Sequence, residues 1–89
     1  MALNFPNPTR SFDETRNAVR FVGHDGLFEI RFFVEAGALA EGGMAPREMS
    51  EENCLSAFDR LLGSIHDVAR VAYSHKRLNA YTLCASDFR

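Results

Sequence analysis

The stretch from Met49 to Tyr73 constrains the fold more than any other part of the chain. Leu55, Phe58, Leu62, Ile65, Ala69 and Ala72 recur three and four residues apart, the spacing that lines one side of a helix. Cys54, Leu61 and Val68 fall on one flank of that stripe and Tyr73 on the other. The opposite side carries Ser56, Asp59, Arg60, Gly63, Asp67, Arg70 and Ser74, with Val71 the one apolar residue out of place. The spacing therefore predicts one long helix. Ser50 suits its N-cap, because a hydroxyl can accept from the orphan amides of the first turn. Glu51 and Glu52 suit the positive end of the helix dipole, and His75, Lys76 and Arg77 the negative end. Met49 and Cys54 hold the positions of a hydrophobic staple. Gly63 costs about 1 kcal/mol against Ala in mid-helix, which marks a place for close packing or a bend. The stripe is wide and its heptad-like run is short, which favours an intramolecular core over a coiled-coil seam.

A core of this kind needs a partner layer, and the strongest hairpin signal supplies one. Ala18–Val22 and Leu27–Val34 flank the turn residues Gly23, His24, Asp25 and Gly26. Closing a four-residue loop sets Val22 against Leu27, Phe21 against Phe28, Val19 against Ile30 and Arg20 against Glu29. Closing on Asp25-Gly26 instead sets Arg20 opposite Arg31, a like-charge pair that costs stability. The first register is therefore the expected one. Either way Val19, Phe21, Phe28, Ile30 and Phe32 share a face, which looks toward the helix. The other face carries Val22, Leu27 and Phe33 beside Arg20, Glu29 and Arg31. It is half apolar, more than a solvated surface needs, so it meets another chain or is covered by the N-terminal segment.

Leu3–Phe5 reads as a short edge strand cut off by Pro6 and Pro8, which cannot donate to a ladder. Ser11–Glu14 matches a capping-box pattern with no apolar helical run behind it, and reads as a turn or a single helical turn. Glu35–Ala40 suits a short helix ended by Gly42-Gly43. Residues 44–46 lead as a loop into the long helix, and Ala80–Ala85 reads as a last strand with Tyr81 and Leu83 on one side. That strand is expected to pair with the hairpin, since alone it exposes an edge. The expected fold is α+β in two layers, residues 1–89 forming one domain. A small sheet built on the hairpin and the C-terminal strand packs against one long and one short helix.

At 89 residues such a domain buries only about 60–65% of its unfolded surface, so association would help it. A net charge of −2 argues against a broad nucleic-acid footprint. Arg20, Arg31 and Phe33 are the best candidates for one, but Glu29 dilutes the patch and no basic recognition helix is present. Nine of the ten basic residues are Arg, a usage that also follows genome composition. No apolar run approaches membrane-spanning length, and the start MALNFPNPTR lacks the pattern of a signal peptide. The expected compartment is the cytoplasm, where two cysteines fit as reduced thiols.

The chemistry-bearing residues form no familiar pattern. Cys54, His66, His75 and Cys84 are separated by eleven, eight and eight residues, unlike the close ligand pairs of structural zinc. On a continuous helix His66 and His75 differ by about 180°, so they cannot share an ion. A Cys–His nucleophile needs proximity that the order of residues gives no reason to expect. Asp59 and Asp67 lie on the solvent side, too open for a perturbed carboxylate pair. Gly23 and Gly26 serve a turn rather than a phosphate loop. No catalytic, cofactor-binding or metal residue is expected.

Asn4-Phe5-Pro6-Asn7-Pro8 with Ser11-Phe12-Asp13, then Ala18–Phe21 with the His24-Asp25 turn, form a distinctive combination. It continues in Phe32–Val34, Leu55–Asp59, Ile65-His66, Tyr73, Tyr81 and Ser86–Phe88. In these motifs the chain resembles short proteobacterial proteins, most closely rhizobial-type members, of the domain of unknown function fourteen eighty-eight. The resemblance spans nearly the whole chain and is weakest over residues 37–49. It implies a small α+β fold and brings no activity or catalytic residue with it.

Two functional readings follow. The first is a non-enzymatic cytoplasmic protein acting through contacts with a protein partner or a second copy of itself. Val22, Leu27 and Phe33 would carry the contact, with Arg20, Glu29 and Arg31 as polar neighbours. The second is a small-ligand module or enzyme with a pocket between hairpin and helix, on which His66, Cys84 or Tyr81 would converge.

Overall fold

A computed structural model describes residues 3–40 and 49–88. The strands are β1 (Arg10–Asp13), β2 (Ala18–Asp25), β3 (Phe28–Glu35) and β4 (Ala80–Leu83). The helices are α1 (Ala36–Leu39), α2 (Glu51–Arg60) and α3 (Leu62–His75), and a 3-10 turn over Ala85–Phe88 follows β4. The sheet order is β1-β2-β3-β4, with β2 antiparallel to both its neighbours and β4 parallel to β3. A parallel neighbour needs a long crossover, and the helical stretch between β3 and β4 supplies it. The fold is α+β, as the periodicities predict.

The turn between β2 and β3 is tighter than the charge pattern suggests. Asp25 pairs with Phe28, Phe21 with Phe32 and Arg20 with Phe33, so neither expected register is adopted. Only Gly26 and Leu27 lie between the strands, and Gly26 has φ 63°. Glycine at the first central position of a two-residue turn gives a twist that matches the flanking strands. A single cross-strand charge pair contributes about 0.2–1 kcal/mol, too little to hold a looser loop against that geometry. Each expected pairing shifts by an even number of residues, so the residues that remain in the strands keep their faces, while Leu27 passes into the turn.

Ser11–Asp13 belongs to β1, not to an isolated turn: Phe12 pairs with Val19 and Ser11 with Arg20. The side-chain oxygens read as a capping pattern serve the turn that follows. Asp13 accepts from the Arg16 amide at 3.1 Å, and Asn17, at φ 50°, turns the chain into β2. Asn4 and His24 exchange backbone hydrogen bonds of 2.8 and 2.7 Å, so the predicted edge pairing of Leu3–Phe5 exists as a single bridge.

The long helix is divided into two. Leu61, at φ −99° and ψ 12°, interrupts it, although its amide still donates to the Ala57 carbonyl at 3.0 Å. The break lies two residues before Gly63, the weakest helix former of the stretch. A Cβ at Gly63 would meet nothing within 4 Å, so the glycine answers to the break and not to close packing. Ser50 caps α2 as expected, its hydroxyl accepting from the Asn53 amide at 3.0 Å. Ala36 begins α1 one residue later than the sequence suggests, and the double glycine placed at its end lies outside the described residues.

Val19, Phe21, Ile30, Phe32 and Val34 of the sheet pack against Cys54, Ala57, Phe58, Ile65 and Ala69 of the helices. Phe21, Phe32 and Tyr81, on three adjacent strands, stack at centroid distances of 5.1 and 5.2 Å. Leu83 is buried on the same face, as the last-strand alternation predicts. Among the described residues no helix is long and apolar enough to cross a membrane.

Candidate interaction surface

The residues expected to form a contact face are divided by the tight turn. Val22 and Phe33 lie on the outer sheet face, but each is only 7% exposed. The Arg16 guanidinium sits 4.2 Å from the centre of the Phe33 ring. Val22 lines a shallow depression with Asn7, Thr9 and Arg10 of the N-terminal segment. Arg20, Glu29 and Arg31 are exposed around them. Leu27 is not on that face at all. It sits in the turn, fully exposed, and Phe28 beside it is 76% exposed although its parity points it to the helix side.

The α3–β4 connection is fastened beside this turn. The Tyr73 hydroxyl donates to Asp25 Oδ2 at 2.6 Å, and that bond to the carboxylate raises the Tyr73 pKa above its ordinary value. The Tyr81 hydroxyl accepts from the Leu78 amide at 2.8 Å and donates to the Lys76 carbonyl. The Arg31 amide donates to the Asn79 carbonyl at 3.0 Å. These bonds carry Leu78, 44% exposed, to the end of the molecule where Leu27 and Phe28 lie. The sequence pattern named Leu27 but not Phe28 or Leu78 for a contact, and the one local signal for this apolar end was Gly26 closing a shorter turn.

At the other side of α3 the N-terminal segment is held as a strap. Phe5 stacks on His66 with ring centres 3.9 Å apart and planes 4° from parallel. The Arg70 guanidinium lies 5.1 Å from the Phe5 ring, and Arg10 makes a two-pronged pair with Asp59 at 2.8 and 2.7 Å. Under the strap is a cavity of about 110 Å³ lined by Phe5, Pro8, Phe21, Phe58, Leu62 and His66 among others. Burial lowers the His66 pKa, and the Arg70 charge lowers it further against the opposing pull of Asp67. The hydrogen bond from Arg10 lowers the Asp59 pKa.

These shifts give a pH dependence with two separate windows. A histidine whose folded pKa is depressed leaves the unfolded chain with more bound protons below about pH 6.5. Stability is then complete above that pH and declines as pH falls through it. Asp59 adds its own loss only below its ordinary value of 3.8. In urea titrations, the decline that starts near pH 6.5 is expected to flatten in His66→Phe, which keeps the ring stack. An unchanged slope in that variant would assign the decline to another group.

His66, Tyr81 and Cys84 do not converge. His66 lies under the strap, the Tyr81 hydroxyl binds the α3–β4 connection, and Cys84 sits before the 3-10 turn. There its Sγ is 3.0 Å from Ser86 Oγ and 3.4 Å from Asp87 Oδ2. Cys54 is fully buried, and burial pushes its thiol pKa up. Among the described residues no group of three or more His, Cys, Asp or Glu side chains could hold a metal ion.

The arrangement defines a small α+β domain whose mixed sheet is covered on one face by helices, with an exposed apolar turn at one end. The chain belongs to the family described as protein of unknown function (DUF1488), whose sequence profile matches residues 3–84. Neither the curated proteins nor the solved structures contain a match to it.

Proposed function

We propose that this is a non-enzymatic cytoplasmic protein that acts through protein contacts, with the β2–β3 turn as the surface it offers. One observation carries the reading: Leu27 and Phe28, adjacent in sequence, are both open to solvent. Burying a side chain of either type in an interface contributes about 1.5–3 kcal/mol, so the pair has enough apolar surface to hold a contact. Arg20, Glu29 and Arg31 supply polar neighbours on the adjoining sheet face, while Val22 and Phe33 support that face from within. The pocket beside His66 favours a second reading, a small-ligand module, because the apolar rings of Phe5, Phe21 and Phe58 line it together with polar Asn7, Thr9 and His66.

The test compares the wild type with Leu27→Ser/Phe28→Ser as baits in cell extract. Both positions are exposed, so the thermal midpoint is expected to hold. A partner retained by the wild type and reduced at least about tenfold by the variant supports the reading. Equal retention of the same proteins, or none by either bait, would overturn it.

A further inference from the structure

Among the described residues β4 is paired on one side only, with β3. Open edges invite strand addition, and proteins usually guard them with charge, proline, bulges or cover. The opposite edge has such guards: Pro6 and Pro8 lie in the segment leading to β1, and Arg10 is clamped to Asp59. β4 reads Ala80-Tyr81-Thr82-Leu83 and carries no charge and no proline. Its pairing with β3 decides which backbone groups are left over. The Arg31 amide donates to the Asn79 carbonyl, so residues 79, 81 and 83 turn their backbone groups toward β3. Ala80 and Thr82 turn theirs outward, and both residues are exposed.

We infer that a second copy of this chain pairs antiparallel along β4, across a two-fold axis at Tyr81, joining the two sheets into one. The inference rests on the reading that the protein works through protein contacts, but it uses a different surface from the hairpin turn. The pattern of outward groups is self-complementary. Ala80 of one copy faces Thr82 of the other and the reverse, and each pair exchanges two backbone bonds.

Charge selects the same arrangement. Lys76 and Arg77 precede β4, and Asp87 follows it. Antiparallel pairing carries Lys76 and Arg77 of each copy toward Asp87 of the other, whereas parallel pairing sets those cations against their own counterparts. The helix layer agrees. Val68, Val71, Ala72 and His75 line a cleft of about 510 Å³ with Ser86 and Asp87, which places this flank of α3 on the β4 side of the molecule. Val71, the apolar residue out of place on the helix, is 55% exposed there and faces its counterpart across the axis. So short a strand pair, with one helix flank, sits at the small end of specific interfaces, and a micromolar dimer is the expected strength.

Sedimentation equilibrium over a range of concentration, from micromolar to millimolar, is the test. The wild type is expected to approach twice the monomer mass at the upper end. Thr82→Pro removes an outward N–H and no bond to β3, a placement that an edge strand tolerates. It is expected to weaken association at least tenfold. Val71→Arg, an exposed change that sets two like charges across the axis, is expected to do the same and serves if the proline variant does not fold. A wild type that stays monomeric throughout overturns the inference. So does a dimer untouched by both variants but abolished by Leu27→Ser/Phe28→Ser, which would move self-association to the hairpin turn and leave the protein-contact reading standing. A dimer lost in Thr82→Pro while partner capture ignores the Leu27 and Phe28 changes upholds the β4 interface and overturns the turn as a docking surface.

Discussion

Phe32→Ala is expected to destabilise the domain by about 3–5 kcal/mol, a large part of the roughly 5–15 kcal/mol available to a domain of ordinary stability. Phe32 is completely buried at the middle of β3. Its ring stacks on Phe21 at 5.1 Å toward one neighbouring strand and on Tyr81 at 5.2 Å toward the other. Phe5 of the strap stands 6.2 Å away. Truncation therefore removes the middle ring of a row that links β2, β3 and β4. The flanking rings are held by their own strands and cannot close the space, so the cavity term adds to the lost transfer energy. Urea denaturation is expected to show a lower midpoint with an unchanged slope. Phe28→Ala is the control: at 76% exposure its change is expected to stay within about 0.5 kcal/mol. Similar losses at both positions would contradict the placement of the core.

The contrast between those two phenylalanines also marks what could be read from the order of residues. Both belong to the same alternating set, and alternation correctly assigns their face, because side-chain period is a local property of a strand. Exposure is not local. It depends on where the strand ends relative to the layer above it, and a register shift carries Phe28 to the turn. The helical stripe was legible for the same reason at Phe58, Ile65 and Ala69, which are buried, but not at Leu62, which the break at Leu61 leaves 38% exposed. The interruption at Leu61 left only the weak trace of Gly63. In the hairpin, weighing Arg20 against Glu29 used an interaction of tenths of a kcal/mol where the backbone twist of the turn decided. The Ser11–Asp13 strand was hidden because the same oxygens that begin helices also close turns. On the outer face, Val22 and Phe33 were rightly paired with Arg20 and Arg31 by parity. What covers them, Arg16 and the segment around Asn7 and Thr9, arrives from elsewhere in the chain and leaves no local pattern.

Gly23→Val is expected to cost at least the upper end of the roughly 1–3 kcal/mol typical of overpacking, and to do so by lifting the strap. Gly23 faces the helix side of β2, opposite Ile30, where the N-terminal segment crosses the sheet. A Cβ there would stand 2.9 Å from Leu3 Cδ1, 3.0 Å from Phe5 Cε1 and 3.2 Å from Phe32 Cε2. Leu3 can turn aside, since its side chain is flexible. Phe32 cannot, because it is fixed in the stacked row. Phe5 moves only by leaving His66, and the two further methyl groups of valine make that departure necessary. Valine does favour a strand over glycine by up to about 1 kcal/mol, which offsets part of the loss and leaves Gly23→Ala the milder change. Departure of Phe5 has a second readout. It returns solvent to the imidazole, so the His66 titration followed by NMR is expected to move up toward 6.5 in the valine variant. Lost stability with an unmoved His66 would place the strain in the sheet, and would mean that the strap keeps its place without the glycine beneath it.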